Sequence, residues 1–362
     1  MIMSYKVAVV GFGAVGKEIV RLLNQDVLPL ESPPRILATR AREERLDGRT
    51  YQVLETADEH FTDVDIAIFA GSEGARGASV TFGWKAVENG AVVVDNSSDF
   101  RMDPKVPLVV PEVNFSAINP DHRFIANPNC STIQMAMALA PIHRAVGLKR
   151  VIVSTYQAVS GWGTAAMNQL KSQVDDFEAG REIQVDSSII ARQIAFNVVP
   201  QIDRFQPNAF TKEEMKMVNE TRKILGDPEI LISATCVRVP VFRGHAEAVT
   251  VETKSPLTPE EARRLLAAAD DEAKEGRYRS RLIVVDNPSD DVAPEERYPT
   301  PLDSDSTSHV YVGRIRQDPV FENGLSLWVV SDNLLKGAAF NAVQIAERMH
   351  LKGMIAGGRG AH

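Results

Sequence analysis

Between a short apolar run, Lys6-Val-Ala-Val-Val10, and a stretch of helical period, Lys17-Glu-Ile-Val-Arg-Leu-Leu23, the chain reads Gly11-Phe12-Gly13-Ala14-Val15-Gly16. A G-x-G-x-x-G in strand–loop–helix context leaves few folds open: it is the first βα turn of a doubly wound parallel sheet. The glycines allow the tight turn and let a pyrophosphate approach the helix N-terminus, where unpaired N–H groups and the helix dipole favour an anion. Further apolar strands, Arg35-Ile-Leu-Ala-Thr39, Asp65-Ile-Ala-Ile-Phe69 and Ala91-Val-Val-Val-Asp95, alternate with helical stretches such as one from about Arg76 to Glu88, as that fold requires. The alternative is a glycine-rich turn without a ligand. The context favours a dinucleotide, with Gly11, Gly13, Ala14, Val15 and Gly16 as its contacts.

The end of the second strand bears on which dinucleotide. A site for NAD places Asp or Glu there, on the ribose 2′-hydroxyl; this chain has Thr39-Arg40-Ala41-Arg42. A hydroxyl and two guanidiniums suit a 2′-phosphate, so the expected cofactor is NADP, with Thr39 and Arg40 as contacts. Ser72 follows the next strand, and Arg101 closes Asn96-Ser-Ser-Asp-Phe-Arg101 just past another strand's carboxyl end. Ligands bind at such loops in open α/β sheets, which makes Arg101 a candidate anion contact.

A second feature is Asn127-Pro-Asn-Cys130-Ser-Thr132, between an apolar run and a helical pattern carried by Ile133, Met137 and Ala140. Pro128 forces a turn, so Cys130 falls at or next to a helix N-terminus. A thiol there meets the positive end of the helix dipole, which favours the thiolate, and nearby N–H groups suit an oxyanion. The bland alternative is an inert buried cysteine. Further on, Cys236 and Arg238 share one face of a strand, and an arginine there needs an anion or a cleft. Thr211 and Glu214 form a capping box before a helix on which Glu213 and Lys216 are i, i+3 neighbours. His245 follows a Pro- and Gly-containing turn. A nicotinamide cofactor with a helix-terminal cysteine permits thioester chemistry, with a histidine as proton carrier and cations for an acidic or phosphorylated substrate.

Length and composition set the frame. The 362 residues suffice for two domains, and a 44% apolar share suits globular ones. Two cysteines make no disulfide framework, so a reducing compartment, the cytoplasm, is expected. No 18-residue apolar run and no signal-peptide h-region are present, and a net charge of −8 argues against a nucleic-acid surface. No cluster has zinc-like spacing, so no metal is expected, and there is no G-x-S-x-G elbow.

With these residues in view the chain resembles the aspartate-β-semialdehyde dehydrogenases of the bacterial type. The matching stretches are the glycine loop, Val92-Val-Val-Asp-Asn-Ser-Ser-Asp-Phe-Arg101, Pro107-Leu-Val-Val-Pro-Glu-Val-Asn114, Asn127–Thr132, Ser154-Thr-Tyr-Gln-Ala-Val-Ser-Gly161, Ala195-Phe-Asn-Val-Val-Pro-Gln-Ile-Asp203, Glu213–Lys216, Ser233–Pro240 and Ser331–Ala339. They run in order over nearly the whole chain. The resemblance implies reversible, NADP-dependent, phosphate-linked interconversion of L-aspartate 4-semialdehyde and 4-phospho-L-aspartate, on the route to lysine, threonine and methionine. It implies Cys130 as the acyl-enzyme nucleophile, His245 as acid/base and Gln157 as the group orienting the acyl-enzyme. Arg238 would take the substrate α-carboxylate, Glu213 its amino group, and Arg101 and Lys216 the phosphate. Ser160, Gly161 and Asn333 would line the nicotinamide side of the cofactor site. It also implies an NADP-binding domain over residues 1–130, completed by a C-terminal helix over 333–350. A mixed-sheet catalytic and dimerisation domain would span 131–332, in a homodimer.

Two departures stand out. The family usually has two residues between the first two glycines, where this chain has only Phe12, and the second-strand end is rearranged; NAD therefore stays open beside NADP. Trp162 stands where the family often has a small residue, and is expected to narrow the mouth of the site. Two alternatives remain. One is a related acyl-phosphate reductase of the N-acetyl-glutamyl-phosphate type, whose acylated nitrogen has no need of Glu213. The other is an inactive homologue with a binding role, which has no need of Cys130, His245 and Arg238 together.

Overall fold

A computed structural model describes residues 4–71, 77–272 and 276–355 of the chain. It divides into two units: Met1–Asn129 with Lys274–Arg279 and Ala338–His362, and Cys130–Ala273 with Ser280–Gly337.

In the first unit the apolar runs become strands buried along their whole length. β1 (Val7–Val10), β5 (Ile66–Phe69) and β6 (Val92–Asp95) have no exposed position, the pattern of parallel strands covered on both faces. With β2 (Arg35–Ala38), β3 (Arg42–Leu46), β4 (Arg49–Glu55) and β7 (Phe124–Ala126) they form a sheet of order β3-β4-β2-β1-β5-β6-β7. Every pairing is parallel except β3 with β4. The strand order runs outward in both directions from β1, so the glycine loop stands at the switch point. α1 (Ala14–Leu23), α2 (Ala78–Glu88), the single turn α3 (Pro111–Asn114) and the almost wholly buried α10 (Phe340–Leu351) complete the unit. Asn341 on α10 donates to Val109 O at 3.0 Å and to Asn127 Oδ1 at 2.7 Å, fixing the loop after β7.

The β3–β4 hairpin is absent from the sequence reading, which takes residues 39–42 only as the end of the second strand. Arg-Glu-Glu-Arg-Leu has no apolar alternation, because an edge strand needs no buried face. The signal that was there is Asp47-Gly48. Both residues have positive φ, 51° and 80°, as a type I′ hairpin turn demands.

The second unit holds β8 (Leu148–Gln157), β9 (Leu231–Arg238), β10 (His245–Thr253), β11 (Leu282–Val284), β12 (Val310–Asp318) and β13 (Gly324–Ser331). They form a mixed sheet of order β11-β12-β13-β10-β8-β9. Register gathers the chemistry at one end. Gln157 stands opposite Arg238, Tyr156 opposite Ala246, and His245 opposite Ser331. Alternation then sorts faces: Thr155, Gln157, Cys236, Arg238, His245 and Glu247 share the buried one. α4 (Cys130–Val146) packs on β8, β10, β12 and β13, and α6 (Lys212–Leu225) on β9. On the other face Ile152, Tyr156 and Leu231 stand exposed. α6 begins with the expected capping box, Thr211 with Glu214, and ends at Gly226 in the left-handed conformation. The unit also holds α5 (Thr164–Glu178) and α7 (Pro259–Glu272). The acidic, proline-rich stretch after β11 holds two single turns, α8 (Pro294–Arg297) and α9 (Pro301–Ser304), each opened by a proline at its first position.

Candidate active site

The glycine loop is built of backbone. Gly11 has φ +100°, and a Cβ at Gly16 would lie 1.9 Å from Gly11 O, so neither position tolerates a side chain. A Cβ at Gly13 would meet nothing within 4 Å, so the loop's outer side is open. α1 starts without a side-chain cap or an acidic residue in its first turn, leaving its first N–H groups to an anion. Phe12 is buried against the Tyr51 ring at 6.0 Å, with the Lys17 ammonium 5.7 Å from its own ring.

At the end of β2, Thr39 and Arg40 are exposed. Arg42 is held by Glu44 at 2.8 Å, and Glu44 also holds Lys17 at 2.5 Å. Arg40 has no ion-pair partner among the described residues. Ser72 lies outside the described residues. Arg101 is buried, and its Nη2 donates to Asn96 O at 2.7 Å.

The second unit brings the other candidates together. Cys130 is the first residue of α4, half-buried and in no disulfide. The Gly337 backbone passes so close that a Cβ there would sit 2.8 Å from Cys130 Cβ. Gly337 lies in a π-helical turn, Leu335–Ala339, a distortion that recurs at functional sites. Gln157 is buried at the end of β8; its Oε1 accepts from Thr155 Oγ1 at 3.0 Å, and its Nε2 donates to Glu213 Oε1 at 3.1 Å. Lys216 Nζ lies 3.3 Å from Glu213 Oε2, as the i, i+3 spacing predicts, and 3.3 Å from Asp203 Oδ2. Arg238 ends β9, buried, with Nη1 donating to Ala158 O at 2.6 Å.

His245 opens β10 and is fully buried. Its Nδ1 accepts the Ala158 N–H at 3.0 Å, and its Nε2 has no hydrogen-bond partner. A Cβ on Gly161 would fall 2.9 Å from Arg238 Nη1 and 3.3 Å from His245 Nε2, so only glycine leaves those two groups room. Ser160 Oγ and Gly244 N both donate to Asn333 Oδ1 at 3.0 Å, which ties the turn before His245 to the loop after β13. Trp162 stands exposed beside this turn.

Burial dominates the electrostatics. It lowers the His245 pKa to about 3, helped by the Arg238 charge and opposed by Glu213, so the ring is neutral at physiological pH. Arg238 is lowered by burial, while Glu213, Cys130 and Cys236 favour its charge; a guanidinium stays cationic regardless. Burial pushes the Cys236 thiol well up, with Glu213 adding to the effect, so this second cysteine is inert. Among the described residues no group of three His, Cys, Asp or Glu is placed to hold a metal ion.

Two groups escaped the sequence. Asp203 sits in the left-handed region at φ 66°, with Oδ1 taking the Arg204 N–H at 2.8 Å and Oδ2 turned to Lys216. A strained non-glycine φ leaves no mark in a residue pattern. Ala158 acts through its peptide, which no side-chain reading detects.

Known proteins match along the whole chain. A family model described as the semialdehyde dehydrogenase NAD-binding domain matches residues 6–120, and one described as the semialdehyde dehydrogenase dimerisation domain matches residues 139–336. Aspartate-semialdehyde dehydrogenase of Aquifex aeolicus is 45% identical over 98% of this chain and 100% of its own. The crystal structure of aspartate semialdehyde dehydrogenase II complexed with ASA from Vibrio cholerae is 42% identical, covering 96% of this chain and 98% of its own, with a TM-score of 0.83. Aspartate semialdehyde dehydrogenase with NADP from Candida albicans is 26% identical over 97% of this chain and 100% of its own, with a TM-score of 0.70. The chain belongs to the aspartate-semialdehyde dehydrogenases.

Proposed function

We propose that this dehydrogenase uses NADP and that Cys130 carries the acyl group between L-aspartate 4-semialdehyde and 4-phospho-L-aspartate. Support for the cofactor comes from the open glycine loop, the uncapped start of α1 and the unpaired Arg40 at the end of β2, which suits a 2′-phosphate. The Candida albicans relative carries NADP. Bound there, the nicotinamide supplies the hydride acceptor, or in reduced form the donor.

The protein's own part begins with sulfur. Cys130 thiolate displaces phosphate from the acyl phosphate, forming the S–C bond as the C–O bond breaks. After reduction the C–S bond breaks, aldehyde leaves and thiolate returns. Arg238 takes the substrate α-carboxylate and Glu213 its ammonium, two opposite charges that orient the chain between them. Gln157, fixed by Thr155 and Glu213, holds the acyl group, and Lys216 takes phosphate. His245 is the acid/base, and Nε2 is the ring nitrogen that has no other hydrogen-bond partner. The observation that carries this reading is the shared register end of β8, β9 and β10, which sets Gln157, Arg238 and His245 side by side in the unit that α4 opens with Cys130.

The exposed sheet face bearing Ile152, Tyr156 and Leu231 suits a second copy of the chain, giving a homodimer through the dimerisation domain. The deciding experiment follows NADPH formation from L-aspartate semialdehyde and phosphate. Wild type should turn over and Cys130→Ala should not; an active variant rejects the thioester route. Repeating it with NAD decides the cofactor.

A further inference from the structure

Asp332 follows β13 directly and is completely buried, with both carboxyl oxygens engaged. Its Oδ1 accepts the Leu334 N–H at 2.9 Å and the Leu335 N–H at 3.1 Å, the contacts an N-cap makes to the second and third residues after it. Its Oδ2 accepts Arg243 Nε at 2.6 Å and the Ser306 N–H at 2.8 Å. Two donors on each oxygen suit a group that only accepts, so the side chain is a carboxylate, although burial pushes its pKa up against the Arg243 charge.

These contacts run to two places. Through Arg243 they hold the turn that delivers His245. Gly244, at φ +89°, donates its N–H to the neighbouring Asn333 Oδ1 at 3.0 Å, and His245 itself stands across the sheet from Ser331. Through Leu334 and Leu335 they hold the start of the π-helical turn Leu335–Ala339. The Asp332 carbonyl takes the Gly337 N–H at 3.0 Å, and Gly337 is the residue whose backbone lies against Cys130. The Ser306 contact carries a mark of its own. Ser306 sits at φ 60°, a left-handed conformation that costs a serine energy unless its surroundings hold it there.

We propose that Asp332 is a positioning residue that fixes where Cys130 and His245 stand relative to one another. The proposal rests on the reading of those two as nucleophile and acid/base, and adds a residue to it. Asp332 need touch no reacting atom. One carboxylate and one carbonyl tie the strand start that presents the proton carrier to the turn that packs on the nucleophile. A nucleophile and a proton carrier serving the same carbon need their separation held closely, and a misplacement of about 1 Å costs about 100-fold in rate. Arg238 on β9 and Glu213 and Lys216 on α6 are held by their own contacts with Ala158, Gln157 and Asp203, so the effect belongs to kcat rather than to KM.

The test is Asp332→Asn in the intact protein. The amide has the same size, but one of its two ends is now a donor aimed at donors. Its kcat should fall about 100-fold, while KM for the semialdehyde and for phosphate stays within about threefold. Rates are taken per thiol that reacts with iodoacetamide in the folded protein, which sets aside any misfolded fraction. A kcat per reactive thiol within about threefold of wild type, or a loss confined to KM, overturns the proposal. Arg243→Gln and Arg243→Lys serve where Asp332→Asn does not fold. Gln should lower kcat about tenfold, and Lys, which can still offer Asp332 a charged donor, should bring it back to within about threefold. A Gln variant within about twofold of wild type, or a Lys variant no faster than Gln, overturns the proposal. Where Asp332→Asn folds, adding Arg243→Gln to it should slow it no further, because both break one tie, and additive losses overturn the proposal. Failure of the thioester reading shows separately, as an active Cys130→Ala.

Discussion

The glycine loop of the first unit and the Cys130 cluster of the second are made of different material. In the loop, backbone forms the proposed binding surface, and the side chains matter mainly by being absent: Gly11 and Gly16 leave room, and α1 offers N–H groups. In the cluster, side chains form the proposed site and are nearly all spent on one another. Gln157 is tied to Glu213, Glu213 to Lys216, Lys216 to Asp203, and His245 and Arg238 to a single peptide. A backbone site is forgiving of its neighbours and strict about spacing. A side-chain network is indifferent to spacing in sequence and strict about each partner, because a buried polar group left unpaired costs about 1–3 kcal/mol. Substitutions should therefore be far more damaging in the second unit than at the rim of the first.

The two cysteines test that contrast most severely. Cys130→Ala should lower kcat by on the order of 10⁴-fold or more, since it removes the proposed nucleophile. Cys236→Ala, which removes a buried thiol beside Met217, should leave kcat within a few-fold and cost only stability, about 1–2 kcal/mol. Steady-state rates alongside thermal melts separate the two effects. Equal damage from both would break the distinction between a reactive and an inert thiol.

Arg238→Lys comes next. The ammonium keeps the charge but loses the fork that reaches both the Ala158 carbonyl and an anion, so kcat/KM for the semialdehyde should fall about 100-fold. A change under fivefold would mean that Arg238 is not the carboxylate clamp.

What the sequence made legible follows the same division. The loop could be read because its spacing is local: strand, three glycines, helix. Cys130 could be read because Pro128 and the helical period behind it lie within ten residues. Arg238, His245 and Gln157 are 81 to 88 residues apart in their longer separations and meet only through β8–β9 and β8–β10 register, which no local pattern encodes. The family resemblance, not periodicity, brought them together. Asp203 and the Ala158 peptide stayed hidden because one is a backbone conformation and the other has no functional side chain. The β3–β4 hairpin was missed because its charged edge strand shows no alternation, although Asp47-Gly48 marked the turn.

A smaller effect is expected at the rim of the first unit. Arg40→Ala should raise KM for NADP about tenfold, the value of one charge-assisted contact with a 2′-phosphate, and leave KM for NAD nearly unchanged. Arg42→Ala should do little, because that guanidinium is already engaged by Glu44. If Arg42 proves the stronger of the two, the pairing in β3 yields when cofactor binds.

The smallest and most diagnostic effect concerns Glu247. It is fully buried on the same face of β10 as His245, and a hydrogen bond from Gln134 is the one influence that favours its ionised form. Burial raises its pKa well above the usual carboxylate range, against the Gln134 hydrogen bond, so folding favours the protonated form, whereas the unfolded chain ionises it above about pH 4.5. A raised folded pKa means that the full stability is present below pH 4.5 and is lost as pH rises towards the folded value. Gln is neutral at every pH and nearly the same shape. Glu247→Gln should therefore match wild type near pH 4 and exceed it at pH 7 to 8 by about 1–2 kcal/mol in denaturant melts. His245 works with the opposite sign. Its folded pKa of about 3 lies below the ordinary 6.5, so stability is present above pH 6.5 and lost as pH falls towards 3. His245→Gln should flatten that acid limb and leave the alkaline one alone. If Glu247→Gln instead destabilises at pH 8, the carboxylate is ionised and paired in the folded state, and the buried face of β10 holds a charge rather than a proton.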